Sequence, residues 1–461
     1  MEIKENSYKN KHHPEWIAVK AFALTILVGA ILLILPFSSS SGKWTNPLTA
    51  LFTATSAVCV TGLVVVDTGS FFSHFGQIVI LCLIQLGGLG IMTFGTFFLV
   101  LVGRRISMQD EFVLMDSLGS EDVRGIKSLL FRAIIFALII ESAGAVILSF
   151  KFVTGYGYSF TRGVYYAIFH SVSAFCNSGF SLYKNSFIGL RSDKLIVITI
   201  ATLIILGGLG FLVLYNFSSI KFWRRDRLAR GRLTFHSKVV LTTTVFLIIS
   251  GWIFFLLLER NQTLTSLSWI DKVCCAFFQS VTPRTAGFNV VDMAKIKPTT
   301  HFVTMFLMFI GGSPASTAGG IKTTTLLVLI STVITMIRGR EKTELFNRTI
   351  PTKIVREALV IFLLGVLCVM SFFFILLITE HHMLLPSGLS TYDALLFETV
   401  SAFGTVGLST GITHRLTSIG KLCIIACMFI GRLGPLTIAL IIGSRDSNQT
   451  VHYPEEEVML G

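Results

Sequence analysis

The chain has 461 residues, of which 52% are hydrophobic and only 14% charged, with 40 phenylalanines and a mean hydropathy of +0.75. An ordinary soluble domain carries about a quarter charged residues, so this composition excludes that class and indicates a polytopic membrane protein. The net charge of +13 does not argue for nucleic acid, because the basic residues are spread among segments between apolar runs, where membrane orientation accounts for them.

The first apolar run, Ile17 to Phe37, is about one bilayer long. It lacks a small-x-small cleavage site, so it reads as a retained helix rather than a cleaved leader. A shorter amphipathic segment comes next at 46–57, then a polar loop with a glycine at 62, then a second long run at 75–102. The same order recurs at 127–150, 162–175 and 193–220, at 237–258, 268–281 and 300–337, and at 354–379, 391–402 and 417–443. The expected fold is an all-α polytopic membrane protein: four helix–pore-helix–helix repeats around a pseudo-four-fold pore, with eight transmembrane helices. The expected divisions are an amino-terminal segment 1–16, repeats at 17–110, 111–230, 231–345 and 346–445, and a tail 446–461.

Each repeat centres on a glycine loop: Val60-Thr61-Gly62, Asn177-Ser178-Gly179, Thr285-Ala286-Gly287 and Thr405-Val406-Gly407, the glycines 117, 108 and 120 residues apart. Spacing of this kind marks an internally repeated architecture. Ten residues before each glycine stands a phenylalanine (Phe52, Phe169, Phe277, Phe397), and six before it a serine (Ser56, Ser173, Ser401), with Val281 the exception. Irregular backbone inside a membrane needs its polar groups satisfied by protein, water or solute. Four such loops converging on one axis would supply rings of carbonyl oxygens able to replace the hydration shell of K⁺, and glycine admits the backbone angles this needs. The half-helices before the loops direct their negative dipole ends toward a cation below them.

If the glycine loops share one side of the membrane, both termini and the segments 103–127, 221–238 and 338–356 share the other, with 21 Lys and Arg against 13 on the loop side. That excess makes the termini cytoplasmic in a multi-pass cell-membrane protein and gives lipid headgroups basic partners. The eight cysteines lie in or beside apolar segments, without the spacing of a disulfide framework or a zinc site.

A second motif lies 24 to 28 residues beyond the loop glycines: Leu86-Gly87-Gly88-Leu89-Gly90, Leu206-Gly207-Gly208-Leu209-Gly210, Ile310-Gly311-Gly312-Ser313-Pro314 and Ile430-Gly431-Arg432-Leu433-Gly434. Paired glycines predict close helix packing. The third copy opens into residues 311–323, where Gly311, Gly312, Ser313, Ala315, Ser316, Thr317, Gly319, Gly320 and Lys322 make a continuous helix untenable. A helix break confined to this repeat is expected, forming an intramembrane gate loop below the filter. It is not a phosphate-binding loop, since Ile321 separates Gly320 from Lys322. Arg432 stands where the other copies have glycine, and an arginine near mid-membrane costs about 2.5–3.5 kcal/mol unless compensated. Glu398, in the fourth half-helix, is the expected partner of this pore-near charge.

These repeats and the glycine set resemble the Ktr/Trk/HKT superfamily of potassium transporters over essentially the whole chain. Eight spanning helices and the tail Tyr453-Pro-Glu-Glu-Glu-Val-Met-Leu-Gly461 are most similar to the ion-translocating membrane subunit of the bacterial Ktr systems. The resemblance implies a homodimer with one pore per protomer, mounted on a cytosolic ring of RCK-type regulatory subunits that bind ATP or ADP. It also implies K⁺ as the transported ion and Na⁺ as activator, with the gate loop and the arginine limiting flux. Glycine at all four filter positions implies potassium preference, whereas serine at the first marks many sodium-selective relatives. Because the four loops differ in sequence, carbonyl geometry is expected to be well formed at fewer sites than in a symmetric channel.

An intramembrane enzyme lacks its chemistry here: there is no His-Glu-x-x-His, no Gly-x-Ser-x-Gly elbow, and the pairs His12/His13 and His381/His382 sit at helix edges. A receptor has no need of four re-entrant glycine loops. The remaining rival is a sodium-preferring transporter of the same superfamily.

Overall fold

A computed structural model describes residues 14–90, 126–219, 233–382 and 390–434. The predicted continuation of the first repeat's second helix to 102 lies outside these residues, as do most of the basic segments 103–127 and 221–238, the amino-terminal segment before 14, and the last helix beyond 434 with the tail.

The helices recur in a fixed order. Repeat 1 contributes α1 (Pro14–Ile34), the half-helix α2 (Pro47–Val58), a single turn α3 (Thr68–Phe71) and α4 (His74–Leu89). Repeat 2 contributes α5 (Ile126–Tyr156), the half-helix α6 (Phe160–Phe175), α7 (Lys194–Leu209) and α8 (Phe211–Ser219). Repeat 3 contributes α9 (Phe235–Glu259), the half-helix α10 (Trp269–Val281), α11 (Pro298–Phe309) and α12 (Thr323–Ile337). Repeat 4 contributes α13 (Thr352–Thr379), the half-helix α14 (Thr391–Gly404) and α15 (Ser418–Leu433). A two-stranded hairpin, β1 (Glu344–Leu345) with β2 (Arg348–Thr349), precedes α13 inside the predicted basic segment.

The half-helices hold 12, 16, 13 and 14 residues, so at about 1.5 Å per residue none spans a hydrocarbon core of about 30 Å. Their starts are fixed locally. Pro47 occupies the first turn of α2 behind the Asn46 cap, and the Ser268 and Ser390 hydroxyls accept from the Asp271 and Asp393 N–H groups. Among the described helices, Phe131–Tyr156, Phe235–Glu259 and Thr352–Thr379 are long and apolar enough to cross a membrane. On α13, Leu367 and Phe374 are 63% and 64% exposed, an apolar face suited to lipid.

Packing closes the repeats into a cycle. Each first helix lies against its own half-helix, and each second helix lies against the half-helix of the next repeat: α4 on α6, α7 on α10, α11 on α14, and α15 back on α2. One large core cluster runs through all four repeats, with Phe52, Phe169, Phe278 and Phe397 fully buried on the half-helices.

Among the described residues, the second helices of repeats 2 and 3 are not continuous. Gly90 (φ +82°) ends α4, Gly434 (φ +89°) ends α15, and at Gly210 (φ +88°) the chain turns by 97° between α7 and α8. In repeat 3 the break widens to the loop between α11 and α12. The expectation of a break in the third repeat alone is therefore corrected. The last glycine of each Leu-Gly-Gly-Leu-Gly copy takes a positive φ that no other residue adopts without strain, and Pro314 holds that place in the third copy.

Candidate functional site

The four glycine loops meet end to end. A side chain at Gly62 would collide with the Ser178 carbonyl, at Gly179 with Ala286, at Gly287 with Val406, and at Gly407 with Thr61. The loops therefore stand in the cyclic order 1, 2, 3, 4, with loops 2 and 4 opposite. All four glycines line one cavity of about 630 Å³, with Ser181 and Ser409 on its wall and Asp67, Lys184, Asp292 and Lys295 at its rim.

The loops share one backbone pattern although their sequences differ. Two residues before each glycine, Val60, Asn177, Thr285 and Thr405 take φ of +56°, +58°, +70° and +50°, and the glycines take +88°, +69°, +75° and +89°. At these two positions the φ angles fall in the same region in all four loops despite the sequence differences. Left-handed φ is tolerated by asparagine but strained for a β-branched residue such as Val60. The strain is held by the half-helix ends: Thr61, Ser178 and Val406 N–H donate to the Ser56, Ser173 and Ser401 carbonyls at 2.7, 2.8 and 2.8 Å. Gly62 and Gly407 N–H donate to the hydroxyls of Ser56 and Ser401 at 3.0 and 3.1 Å.

Repeat 3 keeps this scheme with one residue fewer. Ala286 N–H donates to the Thr282 carbonyl, and the Thr282 hydroxyl donates to the Phe288 carbonyl at 2.7 Å as Ser173 does to Phe180. Likewise the Ser280 hydroxyl donates to Ile248 O as Ser171 donates to Glu141 O, each at 2.6 Å. Thr282 thus replaces the missing serine, Val281 is no exception, and Phe278 rather than the half-buried Phe277 matches Phe52, Phe169 and Phe397. Counting back from glycine at constant spacing missed the deletion because it falls between the half-helix and the loop.

At the same carboxy-terminal ends of the half-helices the glycine motif of the second helices makes close contacts. Cβ atoms at Gly87, Gly207 and Gly431 would overlap the carbonyls of Val58, Phe175 and Phe403 in the last turn of each half-helix. The Gly311–Lys322 segment crosses this region. Gly311 N–H donates to Ile321 O at 2.9 Å and Thr323 N–H to Gly312 O at 3.0 Å, closing the loop on itself. Ser313 N–H donates to Gly208 O at 3.1 Å, Phe211 N–H to Ala315 O at 3.0 Å, and the Thr317 hydroxyl to Phe175 O at 3.2 Å, fastening the loop to repeat 2. Ser316 and Lys322 turn inward onto Ser313 O (2.6 Å) and Ala318 O (2.8 Å), while Gly319 abuts the Thr405 side chain. Gly320 has φ +64°.

Arg432 and Glu398 do not pair. Arg432 donates to the carbonyls of Thr317 and Gly87, joining the loop to repeat 1, whereas Glu398 Oε1 accepts from the Ser409 hydroxyl at 3.2 Å and from Thr413. The reason is height along the fourth repeat. Gly431 packs on Phe403 at the inner end of α14, and Glu398 lies five residues nearer the vestibule, roughly 7.5 Å along the helix. A carbonyl in the last turn of α4 and a carbonyl of the 311–323 loop supply the compensation an acid was expected to give.

Three buried carboxylates escaped the sequence reading: Glu141 on α5, which accepts from the Gln85 amide at 3.1 Å, and two that cap helices. Glu259 accepts from the Lys297 N–H at 2.9 Å and the Thr300 hydroxyl at 2.6 Å, capping α11, and Glu380 accepts from the Thr417 N–H at 3.1 Å and its hydroxyl at 2.5 Å, capping α15. Their matching places, at the ends of the first helices of repeats 3 and 4, are the signal that would have found them.

The family TrkH, cation transport protein, matches residues 2–452. The chain is 40% identical over 468 residues to the potassium/sodium uptake protein NtpJ of Enterococcus hirae, covering 100% of both chains. It is 39% identical over 453 residues to the Ktr system potassium uptake protein B of Bacillus subtilis, covering 97% of this chain and 96% of that one. Its fold matches the crystal structure of the potassium transporter TrkH from Vibrio parahaemolyticus with a TM-score of 0.74 at 19% identity, over 95% of this chain and 86% of that one.

Proposed function

This chain belongs to the TrkH family of cation transport proteins, and from that premise we propose that it takes up K⁺ through a filter made by the ring of four glycine loops. It is a multi-pass membrane transporter rather than an enzyme. The observation that carries the filter reading is the closed cycle in which each loop glycine abuts the carbonyl of the next loop. Carbonyl oxygens so gathered replace the water that K⁺ sheds, and no acid is needed. The positions concerned are Val60 to Gly62, Asn177 to Gly179, Thr285 to Gly287 and Thr405 to Gly407, with the repeat divisions as drawn from the sequence.

The loop 311–323 is the gate in this reading. Its bonds to repeat 2 and its carbonyl contact with Arg432 on α15 support that role, because a segment tied to several repeats feels their relative movement. Control comes from a cytosolic RCK-type ring that carries the nucleotide, on a homodimer with cytoplasmic termini and with Na⁺ as activator. The relatives named for a Ktr system support such a division of labour.

The alternative, a sodium-preferring transporter, draws on the relative named for potassium and sodium uptake together. Uptake by the chain in a bacterium lacking its own K⁺ transport separates the two. Growth at low K⁺, with Na⁺ a weak competitor, is the expected result; uptake in which Na⁺ competes as well as K⁺ establishes the alternative.

A further inference from the structure

One position of each half-helix, on the side facing the segment after the glycine, is occupied by Thr53, His170, Gln279 and Glu398 once the one-residue deletion in repeat 3 is allowed for. The four behave differently. Thr53 donates to Thr49 O at 2.9 Å inside its own helix, and Gln279 donates to Met293 Sδ at 3.0 Å. His170 and Glu398, both fully buried, instead reach the serine two residues after their loop's glycine, Ser181 at 3.1 Å and Ser409 at 3.2 Å. Those serines line the vestibule beside Gly179 and Gly407.

Partners fix what each group does. His170 Nδ1 lies 2.7 Å from Tyr166 O, so it carries the proton and donates, leaving Nε2 to accept from the Leu182 N–H at 3.3 Å and from the Ser181 hydroxyl. The ring stacks on Tyr183, with centroids 5.0 Å apart, and its edge meets Phe187 at 5.1 Å, so it has one orientation available. Glu398 Oε1 accepts from Ser409 and Thr413, and the Ser409 hydroxyl in turn accepts from the Gly411 N–H at 2.9 Å. Each buried side chain therefore clamps the outgoing limb of one loop from behind, and the clamped loops face each other across the cycle.

We propose that His170 and Glu398 are specificity-determining positioning residues: acting through Ser181 and Ser409, they hold two opposite loops at the separation that suits K⁺ rather than the smaller Na⁺. The proposal rests on the filter reading above. The loops bound the ion from opposite sides, so slack in either lets the carbonyls close on a smaller cation, and the two losses compound.

The test uses the full chain in liposomes, with K⁺ uptake measured against Na⁺ competition. Ser181→Ala and Ser409→Ala remove the clamped hydroxyls without touching a glycine. Each is expected to lower the K⁺/Na⁺ preference about three-fold, and the double variant about ten-fold. Glu398→Gln keeps an acceptor oxygen for Ser409 and is expected to hold the preference within about two-fold. Gly407→Ser serves as the control for the filter. If it lowers the preference while the serine variants leave it at the parent value, or shift only the melting temperature, the clamp is overturned and the filter stands. If Gly407→Ser also leaves the preference unchanged, the filter reading falls and the clamp with it.

Discussion

The vestibule-side loops and the glycine motifs of the second helices are both four-fold features, yet they relate to sequence in opposite ways. The loops Val60-Thr61-Gly62, Asn177-Ser178-Gly179, Thr285-Ala286-Gly287 and Thr405-Val406-Gly407 share little beyond glycine, but their backbone angles agree. The motifs begin near-identically and end differently: two helix ends, one sharp bend and one long loop. Each loop is held at both ends, by the half-helix behind it and the neighbouring loop beside it, so residue identity matters little outside the glycine. At the glycine motifs of the second helices the contacts follow residue identity, so Pro314 or Arg432 in place of glycine redirects the chain or its contacts there.

The sharpest way to break this comparison is to disturb the feature the loops share. Gly287→Ser and Gly407→Ser place a Cβ at positive φ and against the Val406 or Thr61 carbonyl. The expected fall in K⁺/Na⁺ preference is at least about ten-fold, a strain of about 1.4 kcal/mol or more expressed at the ion site. Competition uptake measures it, and parental preference in both variants contradicts the filter.

The third-repeat loop should affect rate and leave preference alone. Shortening Ser313–Gly319 removes the Thr317 and Ser313 attachments to repeat 2 together with the Arg432 contact. Flux in liposomes without a regulatory subunit is expected to rise on the order of ten-fold, with K⁺/Na⁺ preference near the parent's. Equal rates in parent and variant identify the segment as a packing break. Arg432→Gly cuts one of those attachments and restores the glycine found at Gly88, Gly208 and Gly312. Its expected effect is smaller, roughly a two- to five-fold rise. A fall in flux by a folded protein means that the arginine supports the open path.

What could be read from sequence divides along the same line. The helical membrane architecture and the order of long and short helices were legible because periodicity and glycine spacing record features that recur along the chain. The partners of Arg432 were not legible, because backbone carbonyls leave no mark in residue type. Glu398 was the nearest acid by repeat logic and still lay too far toward the vestibule, beside Ser409. The shift from Phe277 to Phe278 was hidden by a single deletion, which leaves the apolar pattern of α10 intact.

The smallest expected effect concerns the outer ends of the same second helices, where side chains rather than backbone do the holding. Glu259 and Glu380 fasten the first turns of α11 and α15, and repeat 2 uses Asp193, which accepts from Ile196 N–H and pairs with Lys151 at 3.1 Å. Glu380→Gln keeps an acceptor for the Thr417 N–H but weakens a charge-assisted bond, so about 1–2 kcal/mol of stability should be lost. A melting temperature lowered by about 1–2 °C in a chain of this size is the corresponding readout. Because the cap lies at the far end of α15 from Arg432, flux and K⁺/Na⁺ preference should stay at the parent values. A change in either would mean that α15 moves as one rod, carrying the outer cap's position to the inner glycine motif, and would join the two regions that the comparison holds apart.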